Sequence, residues 1–222
     1  MSERFFVEQP IRGTTARLVD SEAQHLTRVM RASVGDEVTL FDGEGAEFTA
    51  EIERIEKQGV SLKILERHEP NRELPFELTL AVALPKGDRQ KVLMEKGTEL
   101  GVTRLVPLIT KRGVAQPVDS ALERLARQSI EAAKQCRRNR LMVVESPENA
   151  GDFFVKADAS QARWIAHPGG KLPMEAGPGE CGRKAKSGLI AQPLGLKEIP
   201  GGEGRVRRGG WQKVSLESHL AD

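Results

Sequence analysis

The chain has 222 residues, 38% of them hydrophobic and 30% charged, with a formal net charge of +2. That length accommodates one large domain or two smaller ones with a core in at least one, and no apolar run approaches the length needed to cross a bilayer. Cys136 and Cys181 share no CxxC spacing, which points to free thiols and excludes a disulfide framework or a cysteine zinc site.

The first six residues, Met1-Ser2-Glu3-Arg4-Phe5-Phe6, contain no basic segment leading into a long apolar one, so a cytoplasmic location is expected. Ser21, with Gln24 three positions later, reads as the N-cap of a short helix. Leu26, Val29 and Met30 form its apolar stripe, and Val34-Gly35 stops it. Glu37 to Phe41, Glu47 to Ile55 and Val60 to Leu65 read as strands separated by the turn signals Asp42-Gly43 and Gln58-Gly59, which predicts a small antiparallel, barrel-like domain.

The segment from Glu69 to Pro75 is polar, carries Pro70 and Pro75, and interrupts both periodicities. It divides the chain into an N-terminal domain, residues 1–70, and a second domain, residues 74–222. Beyond it, Leu78 to Leu84 predicts a strand, Asp88 to Leu100 a helix stopped by Gly101, and Arg104 to Ile109 a second strand, a parallel unit. Ser120-Ala121-Leu122-Glu123 reads as a capping box. It opens a helix whose buried stripe is Leu122, Leu125, Ala126, Ile130, Ala133 and Cys136, ending near Asn139. Leu141 to Val144 and Arg163 to Ala166 are further short strands of an α/β domain. From about Gly177 the texture changes: ten of the 22 glycines fall in the final 46 residues, so segments such as 178–184 and 200–205 bury little apolar surface and read as disordered.

No G-x-x-x-x-G-K-[ST], H-E-x-x-H or G-x-S-x-G motif is present, and His25, His68, His167 and His219 are scattered, so no metal site is assigned. Positive charge concentrates at Arg28 and Arg31, and again at Lys134, Arg137, Arg138 and Arg140. Charge alone favours solvated helix faces over phosphate-gripping patches.

Four segments in order carry a resemblance. Arg4, His25-Leu26-Thr27-Arg28-Val29-Met30-Arg31, Val34-Gly35-Asp36 and Phe41-Asp42-Gly43 make up the first. Lys96-Gly97-Thr98-Glu99-Leu100-Gly101-Val102 with Pro107-Leu108 is the second, Glu131 to Arg140 the third, and Ile165-Ala166-His167-Pro168 the fourth. Together, over residues 4 to 168, they resemble the ribosomal RNA small-subunit methyltransferase E family of the SPOUT superfamily, which methylates uridine N3 in 16S ribosomal RNA. The resemblance implies a PUA-like RNA-binding β-barrel followed by a SPOUT α/β domain, its C-terminal part threaded into a trefoil knot. It also implies S-adenosyl-L-methionine as cofactor, 16S rRNA or the small ribosomal subunit as partner, and a homodimer.

By the same resemblance the cofactor sits against His167 and Pro168, a glycine loop matched here by Gly201, Gly202 and Gly204, and a final segment near Leu216. Those glycines read equally as a flexible tail. Arg138 and Asn139 would orient the target base through forked and paired donors, the catalytic assignment. The alternative for this stretch is a basic helix end that complements the helix dipole. Arg28, Arg31 and Arg140 would hold the RNA backbone. Glu99 and Glu131 read as structural helix residues.

The chain departs from the family pattern from about residue 177. The glycine loop is reordered, Gly210 to Leu216 keeps the look of the penultimate strand, and the closing arginine segment is missing. A reading frame lost between about Gly177 and Gly209 accounts for this. The alternative to an active enzyme is then an inactive, RNA-binding remnant.

Overall fold

The computed structural model describes residues 4–111, 113, 115, 117–156, 162–171, 187–191 and 212–214, with backbone only at 162, 167–171, 187–191 and 212–214. Two compact units result. One comprises residues up to Glu73 together with Ile130–Leu141; the other comprises Leu74–Ser129 together with the residues from Met142 onward. The break at Glu73 falls inside the proline-bearing segment 69–75.

In the first unit, β1 (Arg4–Phe6), β2 (Thr15–Leu18), β3 (Glu37–Phe41), β4 (Glu47–Glu56) and β5 (Gly59–His68) form one sheet in the order β1-β3-β4-β5-β2. β1 runs parallel to β3 and the other pairings are antiparallel. Period-two alternation explains which face is wet. Phe48, Ala50 and Ile52 of β4 enter a core with Phe5, Leu18, Leu26, Leu40, Val60 and Leu62. Register shifts in β4–β5 at Thr49/Ala50 and Ile52/Arg54 add the curl that wraps the sheet around that core. Gly59 ends the tight turn because a Cβ there would lie 2.5 Å from the carbonyl oxygen of Leu18.

The N-terminal helix departs from expectation. α1 covers only Asp20–Gln24, its N-cap position is Val19 with no side-chain cap bond, and Ser21 lies inside it. The chain then widens into a π turn, His25–Val29, in which the Met30 N–H donates to the His25 carbonyl at 3.1 Å. The wider turn rotates the stripe, so Leu26 is buried while Val29 and Met30 are 64% and 37% exposed.

In the second unit, β6 (Leu78–Val82), β7 (Arg104–Ile109), β8 (Val143–Val144), β9 (Glu148–Asn149), β10 (Ala162–Lys171), β11 (Ser187–Ala191) and β12 (Gln212–Val214) form a parallel sheet. The order is β12-β10-β11-β6-β7-β8, with β9 also against β7. Both faces of β6 and β7 are covered, as a parallel sheet requires. Met94 of α2 (Arg89–Glu99) and Leu125 of α3 (Asp119–Cys136) pack on Leu80, Val82, Leu84, Val102 and Leu105. On the opposite face, Phe153 and Phe154 of α4 (Ala150–Lys156) pack on Ala81, Val106 and Leu108. Gly101 stops α2 at φ +85°, where an added Cβ would lie 2.9 Å from the Leu74 side chain.

Three details of α3 differ from the sequence reading. Its first residue is Asp119, so Ser120 is inside the helix, and the Val118 carbonyl accepts from the Ala121 and Leu122 N–H groups. Ala126 is exposed, and the buried line runs through Ala121, Leu125, Ser129, Ala132 and Ala133. The helix stops at Cys136, before Asn139, because Arg137 adopts φ +62° and the Arg138 N–H folds back to the Ala133 carbonyl at 3.1 Å. This is a Schellman stop with arginine where glycine is favoured. β11 was not foreseen either, since the stretch after Gly177 shows no alternation. A strand paired between two parallel neighbours needs only a short apolar run, here Gly188-Leu189-Ile190-Ala191. The segments 178–184 and 200–205, and the residues that would close a knot, lie outside the described residues, as does Cys181. Among the described residues no helix is long and apolar enough to cross a membrane, and no group of His, Cys, Asp and Glu is arranged to hold a metal.

Candidate nucleic-acid surface and cofactor crevice

The outward face of the first unit's sheet is not left to water at β1 and β3. Phe41 points away from the main core yet is fully buried, with the Phe6 ring at 5.4 Å and the Arg4 guanidinium 4.3 Å above its own ring. Residues of 130–141 cover this face. The Lys134 ammonium bonds Glu22 at 2.8 Å and Glu131 at 2.6 Å, and the Leu141 N–H donates to the Gly43 carbonyl at 3.4 Å. Burial pushes the Lys134 pKa down, but Glu131 and Glu22 outweigh it and leave it raised.

The turn after α3 is held by four charged side chains. Arg138 is 4% exposed, and its Nε donates to both Glu73 oxygens at 2.9 and 3.0 Å while Nη2 donates to Oε2 at 2.7 Å. Asn139 is 3% exposed; its Oδ1 accepts from Arg4 Nη2, and its Nδ2 has no partner among the described residues. Arg4 Nη2 also reaches the Arg138 carbonyl at 3.3 Å, and Arg72 Nη1 donates to the Arg137 carbonyl at 3.1 Å.

Both Arg4 and Arg72 end on Glu47. Arg4 Nη1 lies 2.8 Å from Oε2, and Arg72 binds the same carboxylate in a fork at 2.7 and 3.2 Å. The Arg72 bond, against the cost of burial and with help from Arg4, holds the Glu47 carboxyl down at about 2. Burial pushes the Arg4 guanidinium down, partly offset by Glu47, while the bond to Glu47 raises Arg72.

The structure thus separates the expected RNA and base contacts. Arg138 and Asn139 are buried beneath the turn, whereas Arg140 is exposed, bridged through its backbone to Glu44. Arg28 and Arg31 are exposed on and just after the π turn. Arg28 also lines a shallow groove of about 250 Å³ with Asp20, Thr27, Glu56, Lys57 and Gln58. The sequence reading missed Glu47, Arg72 and Glu73. The only local signal was a pair of opposite charges, Arg72-Glu73, in a segment read as linker.

In the second unit, strand register aligns Pro107, Val82, Ala191, Ala166 and Val214 in one row across β7, β6, β11, β10 and β12. Chain order reverses within this row, since β6 leads to β7 on one side while β10 lies on the other and β11 returns between them. The carboxyl ends of parallel strands at such a reversal form a ligand crevice. His167 and Pro168 directly follow Ala166 there, on backbone that is described without side chains. Gly201, Gly202, Gly204 and Leu216 lie outside the described residues. At the end of β7 the Thr110 hydroxyl is buried with no partner among the described residues, a polar atom suited to a ligand at this edge.

Comparison with known proteins agrees with this arrangement. Residues 72–191 match the RNA methyltransferase domain family, and residues 18–65 match the RNA methyltransferase PUA domain. The first match continues to Ala191, past the Pro168 at which the sequence resemblance stops, and takes in β11. The ribosomal RNA small subunit methyltransferase E of Synechocystis is 36% identical over 142 residues, covering 64% of this chain and 46% of that protein. The Bacillus subtilis protein of the same name is 34% identical over 155 residues, 65% of this chain and 60% of its own length. The matches thus span about half the length of these curated relatives. Among solved structures, a Legionella pneumophila protein described as a methyltransferase, in complex with bound SAM, superposes with a TM-score of 0.82 at 27% identity, over 100% of this chain and 91% of that one. The small subunit methyltransferase E of Neisseria gonorrhoeae, bound to S-adenosyl methionine, shares the fold at a TM-score of 0.84 and 24% identity, over 100% of this chain and 91% of its own.

Proposed function

Because the chain belongs to the RNA methyltransferase family, in its ribosomal RNA small subunit methyltransferase E group, we propose that it methylates N3 of a uridine in 16S ribosomal RNA, acting as a cytoplasmic homodimer. The observation that carries this reading is the family match over 72–191, a span that contains four of the five strands in the aligned row and ends on Ala191. The Thr110 hydroxyl, without a partner among the described residues, and the aligned carboxyl ends of the strands suit a polar ligand of nucleoside size.

S-adenosylmethionine, when bound, supplies an electrophilic methyl on a sulfonium sulfur. His167 and Pro168, with Gly201, Gly202, Gly204 and Leu216, are the residues assigned to hold it. The protein's own task is positioning: N3 must lie in line with the methyl and lose its imide proton, and orientation of this kind supplies much of the acceleration. Arg28, Arg31 and Arg140 neutralise backbone phosphates, which fix the RNA without reading its sequence. Arg138 and Asn139, given to the target base in the sequence reading, are buried in the structure and shape the turn from beneath.

Calorimetric titration with S-adenosylmethionine tests the reading without any choice of RNA. Micromolar binding is expected. A folded sample that takes up none would instead be an RNA-binding remnant of the family.

A further inference from the structure

Glu47 is acidic, sits on the outward face of β4, and belongs to none of the segments that carry the family resemblance. It is nonetheless the point where the turn's supports meet. Its side chain is 17% exposed, and the two arginines it binds are 8% (Arg4) and 35% (Arg72) exposed. Each arginine also donates to the turn. Arg4 takes the Arg138 carbonyl and Asn139 Oδ1, and Arg72 takes the Arg137 carbonyl. Arg137 stands at φ +62°, a conformation that a residue with a side chain keeps only where its surroundings impose it.

We infer that Glu47 is a positioning residue for RNA binding. Through Arg4 and Arg72 it fixes the carbonyls of Arg137 and Arg138 and the amide of Asn139, and so sets the direction in which Arg140 is presented. This rests on the proposed reading in one respect, that Arg140 contacts RNA. Without the carboxylate, two cations that lie 65 and 134 residues in sequence from the turn residues they bind would repel each other across it, and the turn would lose its registration while the sheet beneath remained. The depressed Glu47 pKa agrees, since the carboxylate stays charged at every pH at which the protein would work.

The test uses the full chain with Glu47→Gln, Arg140→Ala and the double variant. Two readouts are taken: amide exchange at Arg138, whose N–H closes the helix stop, and the salt dependence of binding to 16S rRNA. In Glu47→Gln the Arg138 amide should exchange roughly tenfold faster while β4 and β5 amides keep their protection. The salt slope should fall by about one, as for Arg140→Ala alone, and the double variant should fall no further. A Glu47→Gln protein with the parent's exchange and the parent's slope overturns the inference and leaves the RNA-binding reading standing. A parent chain whose binding does not respond to Arg140→Ala overturns the reading beneath it, whatever the exchange shows. Should Glu47→Gln fail to fold, Arg72→Gln removes one arm only. It should speed Arg138 exchange with β4 and β5 protected, and parent-like exchange there counts against the inference.

Discussion

Replacing Glu73 by alanine removes the carboxylate that accepts three bonds, at 2.9, 3.0 and 2.7 Å, from an arginine only 4% exposed. Breaking one side of a fully buried ion pair costs about 3–5 kcal/mol, because the remaining charge keeps its desolvation penalty without compensation. Glu73 itself is 18% exposed, so water can enter the vacated space, which places the expected loss near the lower end, about 3 kcal/mol. For a chain of this length that corresponds to a melting temperature lower by about 6–12 °C. Glu73→Gln keeps the shape and one acceptor and should lose about half as much. Replacing both partners, Glu73→Leu with Arg138→Met, should recover most of the loss, since an apolar pair of similar volume carries no desolvation penalty. Urea unfolding followed by far-UV circular dichroism is the appropriate assay. Among the described residues the one tryptophan, Trp164, belongs to the second unit, so its fluorescence would not report on the first. A Glu73→Ala protein within about 0.5 kcal/mol of the parent, the range of ordinary surface changes, would refute the reasoning.

Glu47 should confer acid-dependent stability. Its carboxyl is held at about 2 against an ordinary 4.5, so its contribution, up to about 3 kcal/mol, is complete above pH 4.5 and is lost as pH falls toward 2. Stability against pH for Glu47→Gln should be flatter over that window; superimposable parent and variant curves would contradict this. Arg137→Gly should stabilise the chain by about 1 kcal/mol, because glycine adopts the φ of +62° without the steric cost that arginine meets there. A lower melting temperature for this variant would mean that the Arg137 side chain contributes more than its conformation costs. Arg28→Ala with Arg31→Ala should leave stability within about 0.5 kcal/mol, since both are exposed, and lower the RNA salt slope by about two. An unchanged slope removes them from the interface. Translating the gene in its other two frames should yield Gly-Pro-Glu-Gly-Gly near codons 195 to 205, and finding none would dispose of the lost reading frame.

What the sequence disclosed depended on how local the determinants were. β3 and β7 have the limits that their apolar patterns and flanking turns predict, and Gly101 ends α2 where its backbone freedom is needed. β1 and β2, at three and four residues, are too short to show a period, and the π turn that exposes Val29 is invisible to a pattern that assumes 3.6 residues per turn. The turn at 137–140 is the clearest case. Arg-Arg-Asn-Arg reads as a uniformly basic, exposed run, yet Arg138 is buried because its partner Glu73 lies 65 positions away, and Asn139 because Arg4 lies 135 away. Such pairings are decided by which face residues 130–141 cover, a tertiary fact with no signature in spacing. For the cofactor crevice, the strand after Gly177 was hidden by its glycine-rich surroundings, although Leu189 and Ile190 mark it once a two-sided parallel environment is known.

The most direct test of the central claim is methyl transfer to small ribosomal subunits that lack the modification, followed by reverse transcription across the 16S RNA. A methyl on uridine N3 replaces the Watson–Crick imide hydrogen, so a new stop at one uridine, dependent on both the protein and S-adenosylmethionine, is the predicted result. Incubation that incorporates no methyl and produces no stop, with protein shown to be folded, would contradict the account and leave a chain that holds RNA without modifying it.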